Sequence, residues 1–159
     1  MGMDDYVLQM RNIRKTFGSL VANDDVNLNV KRGSVHAIIG ENGAGKSTLM
    51  NILTDIHKAD SGDIILNGEK VVFKNSLDAA RKGIGMIYQE FMLYPELSVF
   101  DNIILGFEEK KLGVLIDKAA SRKKIEKICK DYSFNIPLKS LVKDLPVAML
   151  QQVEIVKVL

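Results

Sequence analysis

Residues 40–47 read Gly-Glu-Asn-Gly-Ala-Gly-Lys-Ser, and no other stretch narrows the fold as much. The spacing G-x-x-x-x-G-K-[ST] is that of a loop wrapped around nucleotide phosphates. Each fixed position has a physical reason. Glycines let successive backbone N–H groups turn inward around an anion where a side chain would collide with it, and Gly40, Gly43 and Gly45 supply them, with Asn42 and Ala44 between. A helix starting at the end of the loop aims its unpaired N–H groups and positive dipole end at the same anion. Lys46 brings a charge to the β- and γ-phosphates, Ser47 a hydroxyl suited to Mg²⁺, and Thr48 continues the first turn. A bland glycine-rich turn would share the composition but not the context. The apolar run Val35-His36-Ala37-Ile38-Ile39 precedes the loop, and Leu49, Ile52, Leu53 and Ile56 follow at helical spacing. A buried strand over 35–39, a loop and a helix over 46–57 are therefore expected in succession.

Around this unit, apolar residues between Tyr6 and Val30 tend to alternate, as in Val26, Leu28 and Val30, which predicts two or three strands with one exposed face. Residues 63–72 hold Ile64-Ile65-Leu66, then Asn67-Gly68, then Val71-Val72. That is a strong hairpin signal, because both turn residues tolerate positive φ. Asn75 or Ser76 can cap a short helix through Arg81, Gly83 can end it, and a strand is expected over 84–88. Beyond Gln89 the apolar period becomes helical, over 99–105, 117–132 and 147–159, with no further strand-rich region expected. The change near residue 90 marks a subdomain boundary.

Composition excludes several classes. With 22 Lys and Arg against 20 Asp and Glu, the charge carries no signal for a nucleic-acid partner. The longest apolar runs fall far short of the roughly 20 residues that cross a bilayer, and the first residues lack the charged and apolar regions of a secretory signal. Gly2 is no myristoylation site, because Tyr6 stands where Ser or Thr is needed. Cys129 is the single cysteine, which excludes an internal disulfide and fits a reducing compartment. His36, His57 and the methionines have no second ligand at metal spacing, so no metal site is expected beyond nucleotide-borne Mg²⁺.

The loop and its continuation Thr48-Leu-Met-Asn-Ile-Leu53 resemble the Walker A segment of ABC-transporter ATPases, and of their sugar-import branch in particular. The resemblance spans almost the whole chain. Arg14-Lys15-Thr16-Phe17-Gly18 is similar to the family's A-loop, whose aromatic residue stacks on adenine; Phe17 is the matching position, although by itself it also reads as a half-buried strand phenylalanine. The stretch from Gly83 through Gln89 to Gly106 is similar to the Q-loop and the helix after it. The resemblance implies that the Gln89 amide reaches Mg²⁺ and the attacking water, and that the Q-loop region meets integral membrane permease subunits.

The implied fold class is α/β: a P-loop NTPase core with an N-terminal antiparallel β subdomain and a helical subdomain, together an incomplete ABC-type nucleotide-binding domain. Residues 1–90 would form the nucleotide-binding core and 91–159 a helical subdomain ending at a degenerate signature motif. Implied cofactors are ATP and Mg²⁺. The implied binding set is Phe17, Gly40, Asn42, Gly43, Ala44, Gly45, Lys46, Ser47, Thr48 and Gln89, with Lys46 and Gln89 as the partial catalytic set and Ser47 and Gln89 toward Mg²⁺. Implied partners are the permease and a second ATPase module in a head-to-tail dimer, on the cytoplasmic face of the cell membrane.

The chain departs from the family in two respects. Its signature-like stretch begins Asp144-Leu145-Pro146-Val147-Ala148, with Pro146 in place of a serine and Ala148 in place of a glycine. Proline lacks hydroxyl and N–H, and alanine's Cβ narrows the approach to phosphate, so a weakened composite site is expected. The Walker B, D-loop and H-loop elements do not follow before Leu159, so ATP binding with negligible hydrolysis is expected. The edge left beside the phosphate-loop strand is expected to drive self-association. A GTPase is disfavoured because no Asn-Lys-x-Asp run exists, and a nucleoside-type kinase because some 39 strand-rich residues precede the loop. The readings left open are a sugar-import ATPase subunit, the nucleotide-binding half-module of a nucleoside importer, and a non-catalytic nucleotide-binding fragment.

Overall fold

The computed structural model describes residues 6–108, 110–111 and 115–159. The chain divides into two compact units, the first running to Ile84 and the second starting at Gly85, and each has its own core.

The first unit is built on two long strands, β1 (Tyr6–Phe17) and β2 (Leu20–Lys31). They pair antiparallel across the Gly18-Ser19 turn, and β1 pairs antiparallel with β3 (Ser61–Leu66), which pairs with β4 (Glu69–Val71). The sheet order is β2-β1-β3-β4. The β3–β4 turn is the expected Asn67-Gly68, with φ of 50° and 84°, the left-handed pair that matches a hairpin's twist. Alternation does the rest: Leu8 and Met10 of β1, with Ile13 beyond a bulge, are buried together with Leu28 of β2 and Leu66 of β3. The helix α1 (Lys46–Leu53) joins this cluster through Leu49 and Ile52, one turn apart on one face. Asn75 caps α2 (Ser76–Arg81) by accepting from the Asp78 N–H at 2.9 Å, and Gly83 ends the turn at φ 90°.

The second unit packs α3 (Val99–Ile104) and α4 (Lys118–Asp131) against α5 (Val147–Val158). Val99, Phe100, Ile103, Ile104, Ile125, Val153 and Val156 form its core with Ile136, Leu138 and Val142. Ser98 caps α3 and Asp117 caps α4. A two-residue ribbon, β5 (Lys110–Lys111) with β6 (Leu115–Ile116), lies between α3 and α4 in the chain. The side chain of Asn102 is fully buried on α3. It accepts from the Tyr94 N–H at 2.7 Å and donates to the carbonyls of Tyr94 and Ser98 at 3.0 Å, which fixes the loop entering the helix.

Three sequence expectations need correction. Residues 35–39 form no strand: no described residue pairs with them, and Val35 and Ile39 are 101% and 94% exposed. Residues 84–88 likewise form no strand. An apolar run becomes a strand only when a neighbouring chain completes its ladder, and among the described residues neither run has one. The helix expected over 46–57 stops at Leu53. There the Thr54 hydroxyl bonds back to the Met50 carbonyl at 3.1 Å, Asp55 turns left-handed at φ 60°, and the Asn51 carbonyl accepts the N–H groups of Ile56 and His57.

Candidate functional site

The loop over 40–45 delivers the chain into α1 through two left-handed glycines, Gly43 at φ 83° and Gly45 at φ 82°. Gly45 is the N-cap of α1 and has no side chain to offer the helix's first N–H groups. Its glycine identity is enforced from behind: a Cβ there would meet the Ala22 carbonyl oxygen at 2.2 Å and Asn23 Nδ2 at 2.8 Å. The strand β2 thus backs the loop closely. Asn23, buried on β2, donates from Nδ2 to the Gly45 carbonyl at 3.3 Å, while its Oδ1 finds no partner among the described residues. In front, Gly43 has open space around the position of an added Cβ. Gly40, Asn42, Gly43, Ala44 and Ser47 are exposed, and Gly45, Lys46 and Thr48 half-buried.

Lys46 begins the helix and folds back across the loop. Its ammonium donates to the carbonyls of Gly40 at 2.6 Å and Glu41 at 2.7 Å, and the Ala44 N–H closes a turn onto Glu41 at 3.2 Å. Two of the ammonium's three donors are thus used within the loop. The N–H groups of the first turn of α1 have no intrahelical acceptors, and the dipole adds positive potential there. Cation, backbone donors and left-handed glycines stand together on one short segment, and this set of donors fits the phosphates of a nucleotide. Ser47 opens the first turn with its hydroxyl, a hard oxygen of the kind Mg²⁺ takes. Among the described residues no group of three or more His, Cys, Asp or Glu could hold a metal ion.

Phe17 closes β1 and is 42% exposed, a strand phenylalanine with part of its side chain open to a ligand. The ring of His57 lies 5.2 Å away at 74°, and the Lys15 ammonium 5.4 Å from the Phe17 centroid. The carboxylate of Asp60 accepts from the Thr16 hydroxyl and N–H, both at 2.7 Å, and from the Lys15 ammonium at 3.0 Å. The Thr16 hydroxyl is the largest cause, ahead of Lys15 and the Thr16 N–H, of an Asp60 pKa lowered from 3.8 to about 2.

Gln89 is exposed and belongs to the second unit. Within that unit the loop after it is tied to α5: buried Glu154 accepts the Met92 N–H at 2.8 Å, and Lys157 donates to the Met92 carbonyl at 3.1 Å. Pro146 is the N-cap of α5 and makes no side-chain capping bond, and Ala148 is exposed on its first turn. Elsewhere in the unit, burial and the charge of Glu126 push the Cys129 thiol up, so it is a poor nucleophile.

Sequence reasoning missed Asn23, Asp60 and Glu154. Asn23 and Glu154 carry a faint signal, a polar residue amid strand or helix periodicity, and Asp60 carries none beyond standing at the start of a strand. His57, expected as a packing or surface residue, meets the exposed Phe17 side chain edge-on.

No helix among the described residues is long and apolar enough to cross a membrane. The family model described as ABC transporter matches residues 23–159. The chain is 45% identical over 155 residues to the guanosine import ATP-binding protein NupO of Bacillus subtilis, covering 98% of this chain and 30% of that protein. It is 47% identical over 151 residues to the galactose/methyl galactoside import ATP-binding protein MglA of Clostridium perfringens, covering 95% and 29%. It thus spans about 30% of the length of these curated relatives. Among solved structures it matches a nucleotide-free ATP-binding cassette from an ABC transporter with TM-score 0.81 and 27% identity, over 96% of this chain and 64% of that one. The ADP conformation of another such cassette matches with TM-score 0.80 and 28% identity, over 96% and 64%. The glycine loop, the antiparallel sheet and the helical unit are therefore those of a P-loop NTPase cassette, and the chain belongs to the ABC transporter family.

Proposed function

We propose that this chain binds ATP with Mg²⁺ as part of the ATP-binding component of an importer, coupling nucleotide binding and hydrolysis to transport through a membrane permease. The observation that carries the reading is the left-handed turn at Gly43 and Gly45 leading into the first turn of α1, with the Lys46 ammonium folded back onto the loop. In this reading Gly40, Asn42, Gly43, Ala44, Gly45 and Thr48 cradle the phosphates through backbone N–H groups, and Lys46 carries its remaining donor to the β- and γ-oxygens. Ser47 addresses the Mg²⁺ and the exposed Phe17 side chain stacks on the adenine, while the roles of Gln89 toward Mg²⁺ and the attacking water rest on the family resemblance alone. Mg²⁺ would neutralise charge on the β- and γ-phosphates.

The test is a calorimetric titration of ATP, with and without Mg²⁺, on the chain and on Lys46→Ala. Loss of a charge-assisted contact to phosphate should weaken binding by roughly tenfold or more. Unchanged ATP affinity in the variant would remove the reading.

Sugar import is supported by the galactose and methyl galactoside relative at 47% identity. A nucleoside cargo is supported almost equally by the guanosine relative at 45% and by a nucleoside import ATP-binding protein of Lactococcus lactis at 42%. An ATPase component does not touch the cargo, so the two readings share one mechanism. The proposed partners are permease subunits, met through the loop after Gln89 on the cytoplasmic face of the membrane, and a second ATPase module in a head-to-tail dimer. A dimeric cassette among the structural matches, at TM-score 0.75, supports the latter. Pro146 and Ala148 weaken this chain's contribution to the opposite module's phosphate. Self-association belongs to the same reading; the sheet edge expected to carry it is missing because 35–39 forms no strand, and the exposure of Val35 and Ile39 is what supports it instead.

A further inference from the structure

We propose that Asp60 is a positioning residue for the base of the bound nucleotide, acting through Thr16 and Lys15 on the Phe17 ring. The inference rests on the reading that Phe17 stacks on adenine, and it names what holds the ring in place. Phe17 lies at the tip of the β1–β2 hairpin, where the register shifts between Lys15 and Thr16. The ends of a paired strand are where ladders fray first, so a ring there needs an anchor outside its own hairpin.

Asp60 supplies that anchor from the far side of the sequence. Its N–H donates to the Arg14 carbonyl at 2.8 Å. Its carboxylate holds the Thr16 N–H and hydroxyl and the Lys15 ammonium. Four contacts from one residue thus hold the Arg14 carbonyl, the Lys15 ammonium, and both the N–H and the hydroxyl of Thr16, the three residues that lead into Phe17. The Lys15 ammonium, pinned at 3.0 Å by Asp60 Oδ1, is the cation that stands 5.4 Å from the Phe17 centroid. Losing the carboxylate therefore releases both the backbone before the ring and the charge beside it. His57, three residues before Asp60, contributes the near-perpendicular ring contact, so one segment controls the setting of the aromatic platform.

The test separates base from phosphate. Affinities for ATP and for inorganic tripolyphosphate, both with Mg²⁺, are measured by calorimetry on the wild-type chain, Phe17→Ala, Asp60→Ala and the double variant, with thermal melts as folding controls. Tripolyphosphate reads the glycine loop alone. Phe17→Ala should lower the ratio of ATP to tripolyphosphate affinity by roughly fivefold or more. Asp60→Ala should lower it by about threefold to tenfold, and the double variant should match Phe17→Ala, because the two residues act in series. Thr16→Val, which removes one donor and keeps the backbone ladder, should move the ratio the same way to a smaller extent and decides the matter if Asp60→Ala does not fold. If Phe17→Ala lowers the ratio while Asp60→Ala and Thr16→Val leave it unchanged, or weaken both ligands equally, the positioning role falls and base stacking stands. If Phe17→Ala leaves the ratio unchanged, base stacking falls and the inference falls with it.

Discussion

An exposed carboxylate rarely gathers three donors, yet Asp60 does, and the consequence is a titration. Its pKa is lowered from 3.8 to about 2, first by the Thr16 hydroxyl and then by Lys15 and the Thr16 N–H. A carboxyl whose pKa is lower in the folded state stabilises that state when ionised. The contribution is complete above the unfolded pKa and disappears as pH falls through the folded one. The stability gap between the chain and Asp60→Asn should therefore be constant at neutral pH and shrink between about pH 3.8 and 2, followed by thermal melts in graded acid. A gap that does not change across that window would show that the donors do not favour the charged form. At this scale the sequence marked Gly43, Gly45, Lys46 and Phe17, because a glycine pattern and a neighbouring resemblance suffice to name them. It could not mark Asp60, whose partner Thr16 is 44 positions away. Nor could it mark Asn23, whose meeting with Gly45 depends on how β2 passes behind the loop.

Elements followed their local signals where the signals were self-contained. The Asn67-Gly68 hairpin, the Asn75 cap and the helices of the second unit depend on bonds within a few residues, and they formed within a residue or two of expectation. The helix α1 matters most to the site, because its first turn is the proposed phosphate seat. It is held by Leu49 and Ile52 against Leu8, Met10, Ile13, Leu28 and Leu66. Ile52 is 2% exposed, so Ile52→Ala leaves a cavity under the helix and should cost about 2–5 kcal/mol, measured by urea unfolding. A cost below about 1 kcal/mol would mean that α1 is not anchored by this core. Its early end was not legible, because the Thr54 back-bond and the left-handed Asp55 override an apolar period that continues to Ile56.

At the scale of the whole molecule, each of the two units has its own core, and the first also carries a stretch, 35–39, that is apolar and uncovered. If self-association uses this stretch, light scattering should show mass rising with concentration, and Ile39→Lys should return the chain to monomer by placing a charge on an unpaired backbone run. A monomer at high concentration without the substitution would end that proposal. The family resemblance of the glycine loop was readable from eight residues, because the loop's shape is set by glycine torsions and by a lysine reaching six residues back to Gly40. The sequence by itself determined what is local: left-handed turns, caps, helical faces and the anion-seeking end of α1, all governed by interactions within about one turn of chain. The tertiary structure alone decided what needs a distant partner. It left 35–39 and 84–88 without a ladder, brought Asp60 to Thr16, and bound Glu154 to Met92 across 62 positions. A strand or a long-range hydrogen bond is half a structure until another segment completes it, and no periodicity in the sequence names that segment.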